Sequence, residues 1–280
     1  MEKNIVIPNS KNLERVVESI SKGGAGKLHI LSDFDKTLTK AFIEGQEVHS
    51  IIAQIREGRY LTPDYSPRAH ALFERYHSIE TDSKIPPKEK KKAMHEWWDT
   101  HFKLLAECGL DKKIMREIVG KRRLRFREGA LEFIDFLHQH HIPLVIMSAA
   151  PGDMLRMYLE QERRMYDNIY IVANLFEFDR KGKVTGVKEP IIHSMNKNET
   201  TLQNFPVFEA IKDRDNVILL GDSLGDVGMV QGFQYSSLLK IGFLNENIKN
   251  NLKAYRKNFD VVVLNDSGMD YVNRLMKRVI

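Results

Sequence analysis

At 280 residues, the chain is long enough for one large domain or for a core carrying an insert. Apolar residues make up 42% and charged residues 29%, which excludes an intrinsically disordered or fibrous chain, and no apolar run approaches the ~20 residues that cross a bilayer. A net charge of +5 is too small to demand a nucleic-acid partner; it suits solubility, or anionic small substrates such as phosphates.

The start of the chain, Met1, Glu2, Lys3 and Asn4, lacks the apolar core and small-residue cleavage site of a signal peptide. A single cysteine, Cys108, cannot close an internal disulfide and fits a reducing compartment. Both point to a cytoplasmic protein. Ser21 to Lys27 is rich in glycine but lacks the first glycine and the final Ser or Thr of a phosphate-binding loop, and it precedes a strand. It reads as a flexible connector.

Six short apolar runs follow the pattern of buried parallel strands. They begin at Leu28, Pro143, Ile169, Val217, Leu239 and Val261. Helical patterns separate most of them, as with Leu131, Ile134, Phe136 and Leu137 before the second run. Strands alternating with helices predict an α/β fold whose parallel sheet is covered on both faces. Between the first two runs the rhythm breaks. Residues 41–127 show no convincing strand; Ala69, Leu72, Phe73, Tyr76 and Ile79, then Met94, Trp97, Trp98, Phe102 and Leu105, recur at helical steps. This stretch is too long for an ordinary βα connection and reads as an inserted helical cap domain, punctuated by Pro63, Pro67, Pro86 and Pro87. Residues 1–40 and 128–280 then form the catalytic core.

Chemistry gathers at the ends of the apolar runs. The first ends in Ser32-Asp33-Phe34-Asp35-Lys36-Thr37. Two residues apart in an extended chain, Asp33 and Asp35 are expected on one side of the sheet's carboxyl edge, where ligands of open α/β sheets bind. Carboxylates crowded there repel unless a cation lies between them, and hard oxygen donors suit magnesium. Gly221-Asp222-Ser223-Leu224-Gly225-Asp226 places a second acidic pair after the fourth run, with glycines expected to permit a tight turn. Ser148 follows the second run before Pro151-Gly152-Asp153, where a hydroxyl and free N–H groups could hold phosphate oxygens or simply cap a helix. Lys197, in a polar loop, is either a counter-charge for a phosphoryl group or ordinary surface solvation.

Together these motifs resemble the haloacid dehalogenase (HAD) superfamily of phosphatases: Asp-x-Asp-x-Thr, an isolated serine after a strand, a downstream lysine, and Gly-Asp-x-x-x-Asp. Their order and spacing are similar to those of the cytosolic pyrimidine 5'-nucleotidases (type III). The similarity includes Ser78 to Asp82, Glu96-Trp97, Asn174 to Asp179 and Leu219 to Ser223. The resemblance implies a HAD-like core with a cap and a magnesium-dependent phosphomonoester hydrolase. Asp33 would attack phosphorus, and Asp35 would act as acid and then base. Ser148 and Lys197 would hold phosphoryl oxygens. The metal would sit on Asp33, Asp35 (through its backbone carbonyl), Asp222 and Asp226. In the cap, Glu80 would contact the base of a nucleoside monophosphate, and Trp97 and Trp98 would contribute to its pocket. Lys36, Ala150 and Leu224 depart from the family's usual residues without removing a catalytic group.

Other signals have plainer readings. His95-Glu96 lacks the spacing of a zinc protease motif, and His138, His140 and His141 read as a solvated helix end. Lys88, Lys90, Lys91 and Lys92, and Lys121, Arg122, Arg123, Arg125 and Arg127, read as solvated helix faces, with a nucleic-acid surface as the competing reading. The expected activity is hydrolysis of nucleoside 5'-monophosphates, pyrimidines favoured. The alternatives are a phosphatase for another small metabolite and a nucleic-acid-binding module on an inactive scaffold.

Overall fold

The computed structural model describes residues 3–82, 84–197, 202, 205–232 and 234–280. In chain order, β1 (Ile5–Val6) leads into α1 (Ser10–Gly23), β2 (Leu28–Ser32) and a small hairpin of β3 (Phe42–Ile43) and β4 (Gln46–Glu47). Four helices follow: α2 (Ile51–Glu57), α3 (Tyr65–Thr81), α4 (Pro87–Glu107) and α5 (Lys112–Gly120). The chain returns through α6 (Ala130–Gln139), β5 (Leu144–Pro151), α7 (Gly152–Gln161), β6 (Ile169–Asn174) and a hairpin of β7 (Phe176–Phe178) and β8 (Val184–Val187). It ends with α8 (Val207–Ile211), β9 (Asn216–Gly221), β10 (Ser237–Leu244), α9 (Ile248–Asn258), β11 (Val261–Leu264) and α10 (Asp270–Val279).

Seven strands form one sheet in the order β1-β11-β10-β9-β2-β5-β6, parallel except for β1, which runs antiparallel along the edge. All six apolar runs are strands of it. They are buried on both faces, as continuous apolar strands of a parallel sheet must be. Successive side chains alternate between two cores. Leu28, Ile30, Leu144, Ile146, Ile218 and Leu220 point to one face. Leu31, Val145, Met147, Val217 and Leu219 point to the other, against Ile192, Val207, Ile211 and Met229. Each such side chain contributes about 1.5–3 kcal/mol by leaving water.

The helical insertion is not a separate globule with its own isolated interior. Ile51, Ile55, Tyr65, Ala69, Phe102, Leu105, Met115 and Ile118 belong to the same buried cluster as one face of the sheet. Among the described residues, only the far end of the α3–α4 pair, around Tyr76, Met94 and Trp97, has a small cluster of its own.

Several expectations need correction. The 41–127 stretch does contain strands, the two-residue pair β3 and β4, too short to register as a pattern. Ser21 to Gly23 is no flexible connector: it is the last turn of α1, closed by Gly24 at φ +64°, and Ala25–Lys27 continues as a 3₁₀ turn. α1 buries Leu13, Val16, Val17 and Ile20, an amphipathic spacing that was legible in the sequence. The second basic cluster is not a helix face. Residues 121–127 lie after α5, and Arg127 is only 1% exposed.

Candidate active site

β2 lies between β9 and β5, and the carboxyl ends of these three neighbours carry the acidic motifs and Ser148. Ser32 pairs with Leu220, and the Asp33 N–H donates to the Leu220 carbonyl at 3.0 Å. The ladder therefore extends one residue past β2 and sets Asp33 beside Gly221. Gly221 is required by proximity, not by a left-handed turn. A Cβ there would lie 2.5 Å from the Cβ of Asp226. Gly225 has no such constraint; its added Cβ would meet only Ser223 Oγ, at 3.4 Å.

Asp226 sits in a 3₁₀ turn spanning Leu224–Val230. The Ser223 N–H and hydroxyl both donate to its Oδ2 at 2.9 Å. The Tyr255 hydroxyl donates to the backbone carbonyl of Asp222, pinning the same loop from α9. Asp33, Asp222 and Asp226 each present a carboxylate oxygen, and the three atoms lie within 4.8 Å of one another.

Lys197 closes the group. Its ammonium donates to Asp33 and, at 3.2 Å, to Asp226 Oδ1. Asn174, fully buried at the end of β6, ties the loop that leads to Lys197 to the end of β5 beside Ser148. Its amide donates to Ala149 O and Ile192 O, and its Oδ1 accepts from the Ile192 N–H, all at 2.8 Å. Burial pushes the Asp33 carboxyl up to about 6, against the opposing pull of Lys197. Burial and repulsion from Asp33 and Asp226 hold Asp222 well above the usual carboxylate range. Burial would lower the Lys197 ammonium, but Asp33 and Asp226 outweigh it and raise it far above its ordinary value. Three carboxylates against one ammonium leave uncompensated negative charge in a small, buried space. An all-oxygen donor set of this charge and spacing fits a hard divalent cation such as magnesium.

Asp35 is placed differently from expectation. β2 has ended, and residues 35–38 form a turn in which the N–H groups of Thr37, Leu38 and Thr39 all point at the Phe34 carbonyl. The Asp35 carboxylate is not one of the three clustered ones, so the four acidic side chains do not converge on one point. It faces the N–H of Ile51 at the start of α2. Burial and the neighbouring Asp33 push it up to about 7, against Lys197 and Lys36. A carboxyl that titrates near neutrality can both give and accept a proton.

The Ser148 hydroxyl accepts from the Ala150 N–H at 3.1 Å and does not cap α7, whose N-cap is Pro151. Glu80 ends α3 and reaches back to the core. The Ser194 hydroxyl donates to its Oε1 at 2.5 Å, three residues before Lys197. Trp97 is 8% exposed and stacks on Tyr76, so it is interior to the insertion. Trp98 is half-buried against His101 and Phe102. Sequence reasoning missed Asn174, Tyr255 and Arg127 as parts of this region. A buried asparagine or arginine has no periodic signature, because its partners are backbone carbonyls from distant loops.

The chain is similar to known proteins along its whole length. Residues 36–280 match the family model described as Pyrimidine 5'-nucleotidase (UMPH-1). A mouse 7-methylguanosine phosphate-specific 5'-nucleotidase is 32% identical over 281 aligned positions, covering 100% of this chain and 94% of that protein. A Caenorhabditis elegans putative cytosolic 5'-nucleotidase 3 is 30% identical, covering 98% and 75%. The crystal structure of cytosolic 5'-nucleotidase IIIB bound to cytidine superposes with a TM-score of 0.91 at 29% identity, covering 100% of this chain and 94% of that one. A probable phosphoserine phosphatase from Vibrio cholerae, at 13% identity and TM-score 0.56 over 91% of this chain and 66% of that one, shares the fold. The chain thus belongs to the pyrimidine 5'-nucleotidase (UMPH-1) family, has the fold of the HAD phosphatases, and is a phosphomonoester hydrolase.

Proposed function

We propose that this protein hydrolyses nucleoside 5'-monophosphates to nucleoside and phosphate through a phosphoryl group carried on Asp33. The observation that carries the reading is the convergence of Asp33, Asp222 and Asp226 within 4.8 Å, with Lys197 donating to two of them. The Asp33 oxygen attacks phosphorus and the bond to the nucleoside 5'-oxygen breaks, leaving an aspartyl-phosphate. Asp35, protonated near neutral pH, gives its proton to that leaving oxygen. Ionised, it takes a proton from the water that next attacks phosphorus, and phosphate departs as the bond to Asp33 breaks. Lys197 and Ser148 hold the equatorial phosphoryl oxygens. Asp33, Asp222, Asp226 and the Asp35 carbonyl would hold magnesium, which supplies charge neutralisation for an anionic phosphate approached by a carboxylate.

The test is a panel of phosphate esters assayed with magnesium. Nucleoside monophosphates should exceed sugar and amino-alcohol phosphates, and Asp33→Asn should abolish turnover of every ester. CMP and UMP ranking no better than sugar phosphates would defeat the nucleotidase assignment.

Pyrimidine preference follows the family description and the cytidine of the similar crystal structure. A second base is favoured by relatives specific for 7-methylguanosine phosphate, 32–33% identical over nearly the whole chain. That base is cationic, and Glu80 with the half-exposed Trp98 offers a carboxylate and an aromatic face. Kinetics on CMP, UMP and 7-methylguanosine monophosphate separate the two. On either base, Glu80→Ala should raise KM for the nucleotide and leave a generic aryl phosphate unchanged.

We read residues 41–127 as a cap that opens for substrate exchange, with Glu80–Ser194 marking its closed state. With turnover of a generic aryl phosphate as the readout, cysteines introduced at both positions and joined by a reducible thiol cross-linker should stop activity until the link is reduced; Cys108 is buried and does not compete. A cross-linked pair with full activity would argue against opening. A cytosolic location fits the names of the relatives, and cell fractionation tests it.

A further inference from the structure

The two lengths of chain that lead into and out of the helical insertion run side by side. Thr39 bridges Phe126, the Lys40 N–H donates to Arg125 O at 3.0 Å, and the Arg127 N–H donates to Leu38 O at 2.9 Å. At their foot lies the Arg127 side chain, its guanidinium turned inward. Nε donates to Thr37 O at 3.0 Å. Nη2 donates to Lys36 O at 2.5 Å, Thr39 O at 3.3 Å and Asn245 Oδ1 at 3.1 Å. Nη1 donates to Ser267 O at 2.7 Å and pairs with Asp266 at 3.0 Å. Asp266 in turn accepts from the N–H groups of Ala41 and Phe42, and the Asn245 amide donates to Lys36 O at 3.0 Å.

Three of the four residues after Asp35 thus give their carbonyls to one side chain. No helix or strand ladder satisfies those carbonyls, and buried ones need partners. Lys36 also holds φ +59°, a region that costs a non-glycine residue energy unless its surroundings impose it. A turn of this shape is not self-supporting. Burying a guanidinium costs free energy as well, and an apolar side chain would fill the space more cheaply. What the guanidinium adds is a planar fork of five donors that fixes several oxygens relative to one another.

We propose that Arg127 is a positioning residue for Asp35: by clamping the carbonyls of Lys36, Thr37 and Thr39 it fixes the turn that aims the Asp35 carboxyl at the leaving oxygen, with Asn245 as a second clamp. The inference rests on the reading of Asp35 as the acid–base group. Its consequence is selective. A nucleoside leaves as an alkoxide unless it is protonated, whereas 4-nitrophenolate leaves as a stable anion. Misplacing Asp35 should therefore slow phosphoryl transfer from a nucleotide and spare that step, read as kcat/KM, for the aryl ester, while hydrolysis of the shared aspartyl-phosphate slows for both.

The experiment compares kcat and KM for CMP and 4-nitrophenyl phosphate in the wild type, Arg127→Lys, Asn245→Ala and Asp35→Asn, with melting temperatures recorded for each. Asp35→Asn should lower kcat/KM on CMP far more than on the aryl ester, while kcat falls on both because they share the aspartyl-phosphate. Arg127→Lys, which keeps the charge but loses the fork, should lower kcat/KM on CMP by roughly 10- to 100-fold, and alter kcat/KM on the aryl ester less than threefold. Asn245→Ala, at a half-buried site, should shift the ratio in the same direction by about threefold. Equal losses of kcat/KM on both esters, or no loss, in Arg127→Lys and Asn245→Ala would reduce Arg127 to a structural residue and overturn the proposal. If Asp35→Asn itself fails to discriminate the esters, the acid–base reading falls, and the positioning role falls with it.

Discussion

Gly221→Ala adds one methyl group at the end of β9, and the structure says where it goes. Its Cβ would stand 2.5 Å from Asp226 Cβ, 2.9 Å from Oδ2 and 3.1 Å from Cγ. Carbon atoms in contact settle at about 3.5–4.0 Å, so the two segments must separate by roughly 1 Å. β9 cannot yield, because Gly221 is paired with Gly242 in the middle of the sheet. The 3₁₀ turn moves instead and carries Asp226 away from Asp33 and Asp222. A misplacement of that size at a reacting centre costs about 100-fold in rate, and overpacking costs about 1–3 kcal/mol of stability. Gly221 does not occupy positive φ, so no backbone strain contributes. Gly225 in the same motif is the internal control. Its new methyl group would rest 3.4 Å from Ser223 Oγ, an ordinary contact, and the predicted change in activity is under threefold. Phosphate release measured across a magnesium titration, with thermal melts, decides the matter. The alanine at 221 should lower kcat/KM about 100-fold at saturating magnesium and raise the magnesium needed for half-maximal rate. Wild-type activity in that variant, or matching behaviour of the two glycine variants, would refute the steric argument.

Asp222→Asn should raise the melting temperature of the metal-free protein while shrinking the stabilisation that magnesium confers. A carboxylate whose folded pKa is raised costs stability as pH rises above its unfolded value near 4, and the amide removes that cost; a metal-free variant that melts lower would contradict it. His101 behaves in the opposite sense. Burial pulls it down to about 4, and the Tyr65 hydroxyl lies 3.0 Å from its Nε2. The unfolded chain takes up a proton near pH 6.5 that the folded chain refuses, so stability present above 6.5 is lost as pH falls toward 4, by up to about 3 kcal/mol. Urea titrations at pH 7 and 4.5 should show this loss in the wild type and a smaller one in His101→Gln; equal losses would refute it. Tyr255→Phe, which frees the Asp222 carbonyl, should weaken magnesium dependence several-fold with little change in melting temperature, and an unchanged titration curve would remove Tyr255 from the site.

The acidic motifs were legible because each follows an apolar run that could only be a buried strand, and strands of a parallel sheet end on one edge. The way Asp35 is held was not legible. Two-residue alternation assumes an extended chain, but the backbone folds into a turn after Asp33 and sends Asp35 toward α2. Arg127 was misread for a related reason. Five basic residues in seven resemble a solvated surface in composition, and only the packing of β10, the 265–267 loop and the post-Asp35 turn around one of them makes it interior. How the insertion packs was not legible either: part of its apolar surface joins the sheet's own core and part forms a cluster of its own.

Short-range physics was therefore enough for the sheet, the helical stretch and the two acidic motifs at strand ends, because apolar periodicity acts within a few residues; Ser148 and Lys197 were singled out only by the family resemblance. It took the folded chain to show which carboxylates meet, why Gly221 has no side chain, and what holds the turn carrying Asp35. The clamp on that turn depends on nitrogen and oxygen atoms more than a hundred residues apart coming within 3 Å, and the approach of Gly221 to Asp226 depends on how the loop between them folds; no local pattern encodes such distances.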